Sequence, residues 1–65
     1  MKTKEFIKFL NQQHCLLIRE GSNHSIFQNK KNKKISSVPR HKEVKNNLAR
    51  KICRDLEISY PQNFQ

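Results

Sequence analysis

The sequence predicts an α+β domain in which two helices lie on one face of a three-stranded antiparallel sheet, in the chain order α-β-β-β-α. Three features predict this fold: apolar residues recur at helical spacing near each end, three short apolar runs lie between them, and polar turns separate the runs. Each helix has one apolar face, so both are expected to cover the same face of the sheet. The opposite face is expected to meet solvent, as an antiparallel sheet allows.

The length of the chain permits one small domain. A chain of 65 residues buries only about 60% of its unfolded surface, so a deep cavity for a large cofactor is not expected. We expect the domain to occupy residues 1–60 and the tail, residues 61–65, to fray. A functional site should therefore lie on the surface or in a shallow cleft, and no cofactor is expected.

The first predicted helix covers residues 4–12. Phe6, Ile7 and Leu10 recur there at helical spacing and form one apolar face. Thr3 is the expected N-cap, because a hydroxyl in that position accepts a bond from a free backbone amide of the first turn. The end of the helix is less sharply defined, since no glycine follows it.

The second predicted helix lies near the C-terminus. Leu48, Ile52 and Leu56 are spaced by four and form one apolar stripe, with charged residues away from it. Asn46 or Asn47 is the expected N-cap, because asparagine side chains accept bonds from the first helical amides. This helix should pack its stripe on the sheet.

Three short apolar runs predict the strands: residues 15–19 (CLLIR), 24–28 (HSIFQ) and 35–38 (ISSV). The turn at residues 20–23 contains the only glycine of the chain, and residues 29–33 form a polar, cationic hairpin. Pro39 is expected to stop the third strand. Short turns between short strands indicate an antiparallel meander.

The alternation of side chains along the second strand predicts which of its residues face the core. His24 and Ile26 share one face of that strand, while Ser25 and Phe27 share the other. We expect Phe27 to pack beneath the helices and His24 to face outward. The composition of the third strand does not indicate which of its residues face the core and which face outward.

The charge of the chain is strongly one-sided. Lys and Arg number 14 against 5 Asp and Glu, which gives a net charge of +9. Ten of the cations lie between Lys30 and Arg54, where Glu43 is the single acid. Such a field attracts polyanions and speeds their encounter. Nucleic acid is the first candidate partner, followed by an anionic membrane surface and an acidic protein.

No secretory signal or membrane-spanning segment is recognisable. The apolar stretch from Phe6 to Leu10 is interrupted by Lys8 and followed by three polar residues. We therefore expect a cytoplasmic protein that does not enter a membrane.

The cysteines and histidines do not form a typical metal-binding pattern. Neither Cys15 nor Cys53 has a second ligand at the spacing that zinc sites use. We expect two buried, reduced thiols and no metal site. The acidic residues are scattered along the chain and do not resemble the carboxylate cluster of a two-metal nuclease.

The stretch Gly21-Ser22-Asn23-His24 is the strongest candidate for a chemical site. Gly21 permits a sharp turn or the close approach of a ligand, and the next two residues add small polar groups. His24 begins a strand, which is a rigid mount. An imidazole titrates near neutral pH, so it can take a proton from a 2′-hydroxyl of RNA or give one to the leaving 5′-oxygen. Spacing alone favours a surface polar residue at the start of a strand, without a chemical role.

Cations and amide donors are expected to stabilise the charge that builds on phosphorus during RNA cleavage. Lys34, Arg40 and the turn amides near Gly21 are candidates for this task, and His41 is a candidate phosphate ligand or second acid. The hairpin lysines fit phosphate contact or simple solvation. The candidate RNA contacts are Gly21, Ser22, Asn23, Lys30, Lys31, Lys33, Lys34, Arg40, His41 and Lys42.

Several short motifs follow one another in a fixed order over residues 2–59. They are an opening helix, GSNH at 21–24, VPRH at 38–41 and LARKICRDLEIS at 48–59. In their order and spacing these motifs resemble the HicA-type toxin, the small ribonuclease of bacterial HicA–HicB toxin–antitoxin pairs. The family often carries a Gly-Ile pair where this chain has Glu57-Ile58, which makes the end of the last helix less typical.

The resemblance implies a fold similar to a double-stranded-RNA-binding domain, which grips RNA through backbone and shape more than through sequence. It implies that His24 is the catalytic residue of an endoribonuclease that cleaves messenger RNA and arrests translation. It also implies a HicB-like antitoxin that covers the site and is acidic over this region, which suits the charge of +9.

Two other functions stay open at the level of sequence. A non-catalytic RNA-binding module of the same fold shares the charge but needs no histidine. A cationic membrane-active peptide is disfavoured, because no strongly basic amphipathic helix is apparent. Incubation with RNA in the presence of a chelator separates binding from cleavage, and leakage of liposomes tests the membrane alternative.

Overall fold

The computed structural model describes residues 1–60 and has the element order that the sequence predicts. The elements are α1 (Thr3–Gln12), β1 (Cys15–Glu20), β2 (His24–Asn29), β3 (Ile35–Pro39) and α2 (Asn46–Leu56). Their ends lie within a residue or two of the predicted limits. The expected fraying of residues 61–65 lies outside the described residues.

The three strands form an antiparallel meander in the order β1-β2-β3. β2 is the central strand, and its register pairs His24 with Pro39 and Phe27 with Ser36 of β3. α1 packs mainly against β1, and α2 packs mainly against β3. The predicted α+β arrangement is therefore confirmed, and one face of the sheet, called the open face below, is left uncovered by helices.

The core lies between the helices and the covered face of the sheet. Its buried apolar residues are Phe6, Leu10, Cys15, Phe27, Val38, Val44, Ala49, Ile52, Cys53 and Leu56. Phe27 is 2% exposed, whereas His24, three residues earlier, is exposed. The predicted faces of β2 are thus confirmed. The burial of Ser36 and Val38 fixes the phase of β3, which the sequence left open.

β1 contains a bulge that changes the face of the residues after it. Leu17 pairs with Phe27, but the next pair joins Arg19 to Ile26, so Ile18 is the extra residue. Strict alternation would place Arg19 on the same side as Leu17, beneath the helices. The bulge instead places Arg19 on the open face beside Ile26.

The start of α1 is held by tertiary bonds rather than by the expected cap. Lys2, not Thr3, occupies the N-cap position, and no side chain caps the helix. The Thr3 amide donates to the carbonyl of Lys42 at 2.9 Å, and the buried Thr3 hydroxyl donates to the carbonyl of His41. The Thr3 N-cap prediction is wrong because the hydroxyl serves the neighbouring segment instead of its own helix.

The start of α2 also differs from the prediction. Lys45 occupies the N-cap position, without a side-chain cap, and Asn46 is already helical. The preceding Val44 is buried, and its amide donates to the Met1 carbonyl at 2.9 Å while the Met1 ammonium donates to the Val44 carbonyl. These two bonds hold the segment before α2 in place, so the helix begins at Asn46, one residue earlier than it would with Asn46 as the N-cap.

A buried asparagine ties the hairpin between β2 and β3 to the end of α2. Asn29 is 4% exposed, and its side-chain amide donates to the Leu56 carbonyl at 2.9 Å. Its side-chain oxygen accepts a bond from the Lys31 amide at 2.9 Å. The last carbonyls of a helix have no amide partner within the helix, and Asn29 thereby supplies a donor to one of them.

α2 ends at a residue with left-handed backbone geometry. Glu57 has φ 57° and ψ 46°, its amide donates to the Arg54 carbonyl, and the Ile58 amide donates to the Cys53 carbonyl. This pattern is a Schellman motif, in which glycine is the usual residue because it has no Cβ. Ile58 packs against the core, so the motif is retained although a glutamate occupies its central position.

We predict that Glu57→Gly raises the free energy of unfolding by about 0.5–1 kcal/mol, because glycine removes the left-handed penalty at this position. The ion pair between Lys34 and Glu57, at 3.9 Å between exposed groups, contributes little to the stability of the wild-type protein. Glu57→Ala is the matched control, since it removes the same carboxylate but keeps the Cβ. Urea denaturation should give a higher free energy of unfolding for Glu57→Gly than for Glu57→Ala, and equal values would contradict the prediction.

Candidate active site

A tight turn joins β1 to β2 and places His24 at the end of the sheet. The Gly21 amide donates to the His24 carbonyl at 2.7 Å and closes the turn. Gly21 does not have a positive φ, and a Cβ at this position would lie 3.4 Å from the His24 carbonyl oxygen, an ordinary contact. The turn itself therefore does not require glycine. The missing side chain instead leaves the surface beside His24 open to a ligand.

The two sequence motifs GSNH and VPRH meet at this end of the sheet. His24 pairs with Pro39 in the β2–β3 ladder, and the Arg40 amide donates to the Asn23 carbonyl at 3.2 Å. The His24 side chain is exposed on the open face, and within residues 1–60 it makes no hydrogen bond or ion pair. No described residue therefore competes with a substrate for the ring nitrogens of His24.

A shallow depression on the open face surrounds this histidine. Residues 21–24 line it together with Ile18, Arg19, Ile26 and Ile35. We call it the His24 depression. Its apolar lining residues are all isoleucines, the turn at residues 21–23 adds small and polar residues, and Arg19 is the cation that lines it. Three of the predicted RNA contacts, Gly21, Ser22 and Asn23, lie here.

Sequence reasoning missed Arg19. Its position next to the turn was visible, but strict alternation from Cys15 would have pointed its side chain toward the helices. The bulge at Ile18 reverses that direction, and no residue type in the run CLLIR signals a bulge. Arg19 is exposed and forms no ion pair in the described part of the chain, whereas Arg40 pairs with Glu20 at 3.5 Å.

A cationic cleft lies next to this end of the sheet, between the start of α1 and residues 38–43. We call it the α1 cleft. It contains the predicted contacts Arg40, His41 and Lys42, and it adds Lys2 and Lys4, which sequence reasoning did not select. These two lysines reach the cleft because Lys2 forms an isolated bridge with Glu43 and Thr3 is bonded to residues 41 and 42. Positive groups outnumber the two carboxylates of the cleft, those of Glu20 and Glu43.

The two candidate histidines lie in different depressions. His24 lines the depression on the open face, while His41 lines the α1 cleft. The two depressions adjoin, because His24 pairs with Pro39 and the Asn23 carbonyl accepts from the Arg40 amide. The roles of His41 as a phosphate ligand or as a second acid both stay predictions.

The hairpin lysines lie at the opposite end of the sheet from His24. The Asn29 amide donates to the Lys34 carbonyl at 2.9 Å, so Lys34 lies five residues along β2 from His24. At about 3.3 Å per residue this is a separation of about 17 Å. Lys34 also pairs with Glu57 at 3.9 Å, although the next residue, Ile35, lines the His24 depression. Its role as a cation for charge near His24 stays a prediction. Lys30, Lys31 and Lys33 share this end of the sheet, and their contact with RNA also stays a prediction.

Neither cysteine is a candidate nucleophile. Cys15 and Cys53 are free and buried, as the sequence predicts. Burial raises the pKa of Cys15, and burial together with the nearby Cys15 raises the pKa of Cys53 to about 11. Both thiols therefore stay protonated near neutral pH, whereas nucleophilic attack requires the thiolate.

Residues 1–60 contain neither a cluster of metal ligands nor a membrane-spanning helix. No group of three or more His, Cys, Asp and Glu side chains among them is arranged to hold a metal ion. In the same residues, neither helix has the length and apolar character needed to cross a bilayer.

Comparison with protein families gives a match that covers residues 3–58. The matching model describes the HicA toxin of bacterial toxin–antitoxin systems. The chain belongs to the HicA toxin family. Comparison with curated proteins gave no match, and comparison with solved structures gave none either. Family membership confirms the resemblance seen in the sequence and implies that this HicA toxin has a cognate antitoxin.

The match covers all the elements that build the site of this HicA toxin. It extends from Thr3, which anchors the α1 cleft, to Ile58, which closes α2. Between these ends the fold holds an accessible imidazole, a guanidinium without an ion pair and a row of turn amides around one open depression. Such a set of groups is suited to holding a phosphodiester and moving a proton.

Proposed function

We propose that this HicA toxin is a cytoplasmic endoribonuclease that cleaves messenger RNA and thereby arrests translation, with His24 as its general acid–base group. The observation that carries the proposal is the exposed His24 imidazole, held on a rigid strand end beside the unpaired Arg19 guanidinium. A general acid or base has to reach the proton that it transfers, so an accessible ring on a fixed mount is the first requirement.

The proposed reaction is an attack of a ribose 2′-oxygen on the adjacent phosphorus. The bond between the 2′-oxygen and phosphorus forms, and the bond between phosphorus and the 5′-oxygen breaks. A proton leaves the 2′-hydroxyl and a proton is added to the 5′-oxygen, and His24 performs one of these transfers. No step of this proposal requires a metal ion.

Charge accumulates on the non-bridging phosphate oxygens during this step. Arg19 is the cation nearest to His24 in the depression, and a guanidinium matches two phosphate oxygens at once. The backbone amides of the turn at residues 22–23 are further donors, whereas the Gly21 amide is already bonded to the His24 carbonyl. Donors that are fixed before the reaction stabilise developing charge without reorganisation, and this is usually the largest electrostatic contribution.

The remaining cations are placed to hold the RNA rather than to react with it. The α1 cleft lies next to the His24 depression, because the Asn23 carbonyl is bonded directly to Arg40. The hairpin lysines lie at the far end of the same sheet. RNA that crosses His24 can thus contact cations on two sides, which suits recognition through the phosphate backbone.

We predict that His24→Ala abolishes cleavage while preserving the fold and the affinity for RNA. The side chain is exposed and makes no internal bond, so its removal should leave thermal unfolding unchanged. The rate constant should fall by about 10²–10⁴-fold, the usual contribution of a positioned acid or base.

The measurement is cleavage of a defined RNA by the purified toxin in the presence of a chelator. His14→Asn is the matched control: His14 is another exposed histidine, and asparagine tolerates its left-handed backbone, so cleavage should stay at the wild-type rate. Wild-type activity of His24→Ala would remove His24 from the mechanism. Intact RNA with a clean gel shift for the wild-type toxin would instead favour a non-catalytic RNA-binding module.

We predict that Arg19→Gln lowers kcat by about 10²-fold with little change in KM, because Arg19 acts on charge that develops only in the transition state. Arg40→Gln is the matched comparison, since Arg40 lies in the α1 cleft and pairs with Glu20. It should raise KM and leave kcat nearly unchanged. Steady-state kinetics on one RNA substrate measures both values, and equal effects of the two substitutions on kcat would contradict the assignment.

We predict that Lys2→Gln/Lys4→Gln weakens RNA binding and flattens its dependence on salt, because the α1 cleft then neutralises two fewer phosphates of the RNA. Affinity is measured between about 50 and 200 mM salt in the His24→Ala background, so that the RNA stays intact. The slope of log affinity against log salt should become less steep by about one for each lysine removed. An unchanged slope would show that RNA does not use this cleft.

A further inference from the structure

The outer edge of β1 is exposed and apolar. Leu16, Leu17 and Ile18 are 42%, 48% and 44% exposed, and β1 contains neither lysine nor proline. In the sheet order β1-β2-β3, no described strand pairs with the outer side of β1. Natural sheets usually protect an edge with lysine, proline or a covering element, because an open edge pairs readily with another chain. Along residues 16–18, β1 has no lysine, no proline and no described covering element, and the bulge at Ile18 is the one edge-protecting feature that it carries.

The other edge of the sheet, β3, ends in Pro39, which has no backbone amide to donate to an added strand. Ser36 of β3 faces the helices, where its hydroxyl donates to the Asp55 carboxylate at 3.0 Å. β1 contains no proline along its length.

The apolar side chains of β1 point to both faces of the sheet. Leu16 pairs with Gln28 on the open face, whereas Leu17 pairs with Phe27 on the side of the helices. A ligand lying flat on the open face would cover Leu16 and leave Leu17 in water. An added strand along the edge reaches both residues, because its own side chains also alternate between the two faces.

We propose that the cognate antitoxin of this toxin docks on the edge formed by residues 16–18 and adds an acidic, extended segment there as a fourth strand. Membership of a toxin–antitoxin family implies a protein partner, and the net charge of +9 indicates its sign. A second copy of this chain would meet the edge with the same positive charge and be repelled, whereas an acidic partner is attracted. Arg19 follows the edge directly and is free to pair with a carboxylate of that partner.

The proposed position also explains how the partner would silence the toxin. Ile18 and Arg19 line the His24 depression, so a strand added along residues 16–18 stands at its rim. RNA would then lose access to the His24 imidazole, and a carboxylate of the partner would pair with the Arg19 guanidinium. This consequence rests on the proposed ribonuclease function, but the docking itself does not.

The test uses the variant Leu16→Lys/Leu17→Lys, which gives β1 the lysines that natural edges carry. Neither residue lines the His24 depression, so cleavage of RNA should continue at the wild-type rate. Asn11→Lys/Gln12→Lys is the matched control, because it adds the same charge on the exposed end of α1. The probe is the purified cognate antitoxin, and circular dichroism melts verify that each variant is folded.

The expected result is a Kd for the antitoxin that rises about tenfold or more in the β1 variant and stays unchanged in the control. An amount of antitoxin that silences the wild-type toxin should leave the β1 variant cleaving RNA. Amide hydrogen exchange should slow at residues 16–18 when the antitoxin binds, because strand addition gives new partners to backbone groups at the edge.

Three outcomes would overturn the proposal. Unchanged affinity of the β1 variant would place the antitoxin elsewhere, and unprotected amides at residues 16–18 would exclude strand addition. A dimer of the toxin alone that the β1 substitutions dissociate, measured by light scattering, would identify a second copy as the occupant. If the wild-type toxin does not cleave RNA, the proposed function fails, while affinity and hydrogen exchange still decide the docking surface.

Discussion

The pairing register of β2 is the constraint on which the candidate site depends. Phe27 is buried beneath the helices, and successive strand residues point to opposite faces, so His24 at an odd distance from it faces outward. A slip of one residue would expose the phenyl ring and bury the imidazole. Burying such a ring is worth about 1.5–3 kcal/mol, and the same packing that stabilises the core therefore also keeps His24 accessible.

Hydrogen bonds to distant segments, rather than side-chain caps, hold the described helix ends in place. The Thr3 hydroxyl and amide tie α1 to residues 41 and 42, and Asn29 ties the hairpin to the last carbonyl of α2. In so small a domain these bonds also shape the surface. The α1 cleft exists because the start of α1 is held against the segment that follows β3, and this places lysines from the N-terminus beside Arg40.

The architecture separates the groups proposed to react from the groups proposed to bind RNA. The proposed chemistry lies on the open face, where His24 and Arg19 share one depression, while most other cations lie in the α1 cleft or on the hairpin. The core contains no ionisable group apart from two thiols whose pKa values burial raises. A partner that covers the open face around His24 would block the proposed chemistry. The exposed edge of β1 adjoins the His24 depression, where such a partner would be effective.

Periodicity predicted the element order, the face of Phe27 and the exposure of His24, because alternation and helical spacing are local properties of the chain. Arg19 was missed because a bulge reverses alternation without a residue signature. Lys2 and Lys4 were missed because tertiary pairing brings them to the cleft, and the Thr3 cap failed for the same reason. Lys34 was selected by its charge, yet it lies at the far end of β2 from His24 and pairs with Glu57 at the end of α2.

The chemical identity of the ends that cleavage creates tests the central claim most directly. A short RNA of known sequence is incubated with the toxin and a chelator, and the products are examined by mass spectrometry. Attack by the 2′-oxygen, with one of the two protons moved by His24, predicts a 2′,3′-cyclic phosphate on the upstream fragment and a 5′-hydroxyl on the downstream one. A 5′-phosphate opposite a 3′-hydroxyl would show that water attacked the phosphorus, and would contradict the account.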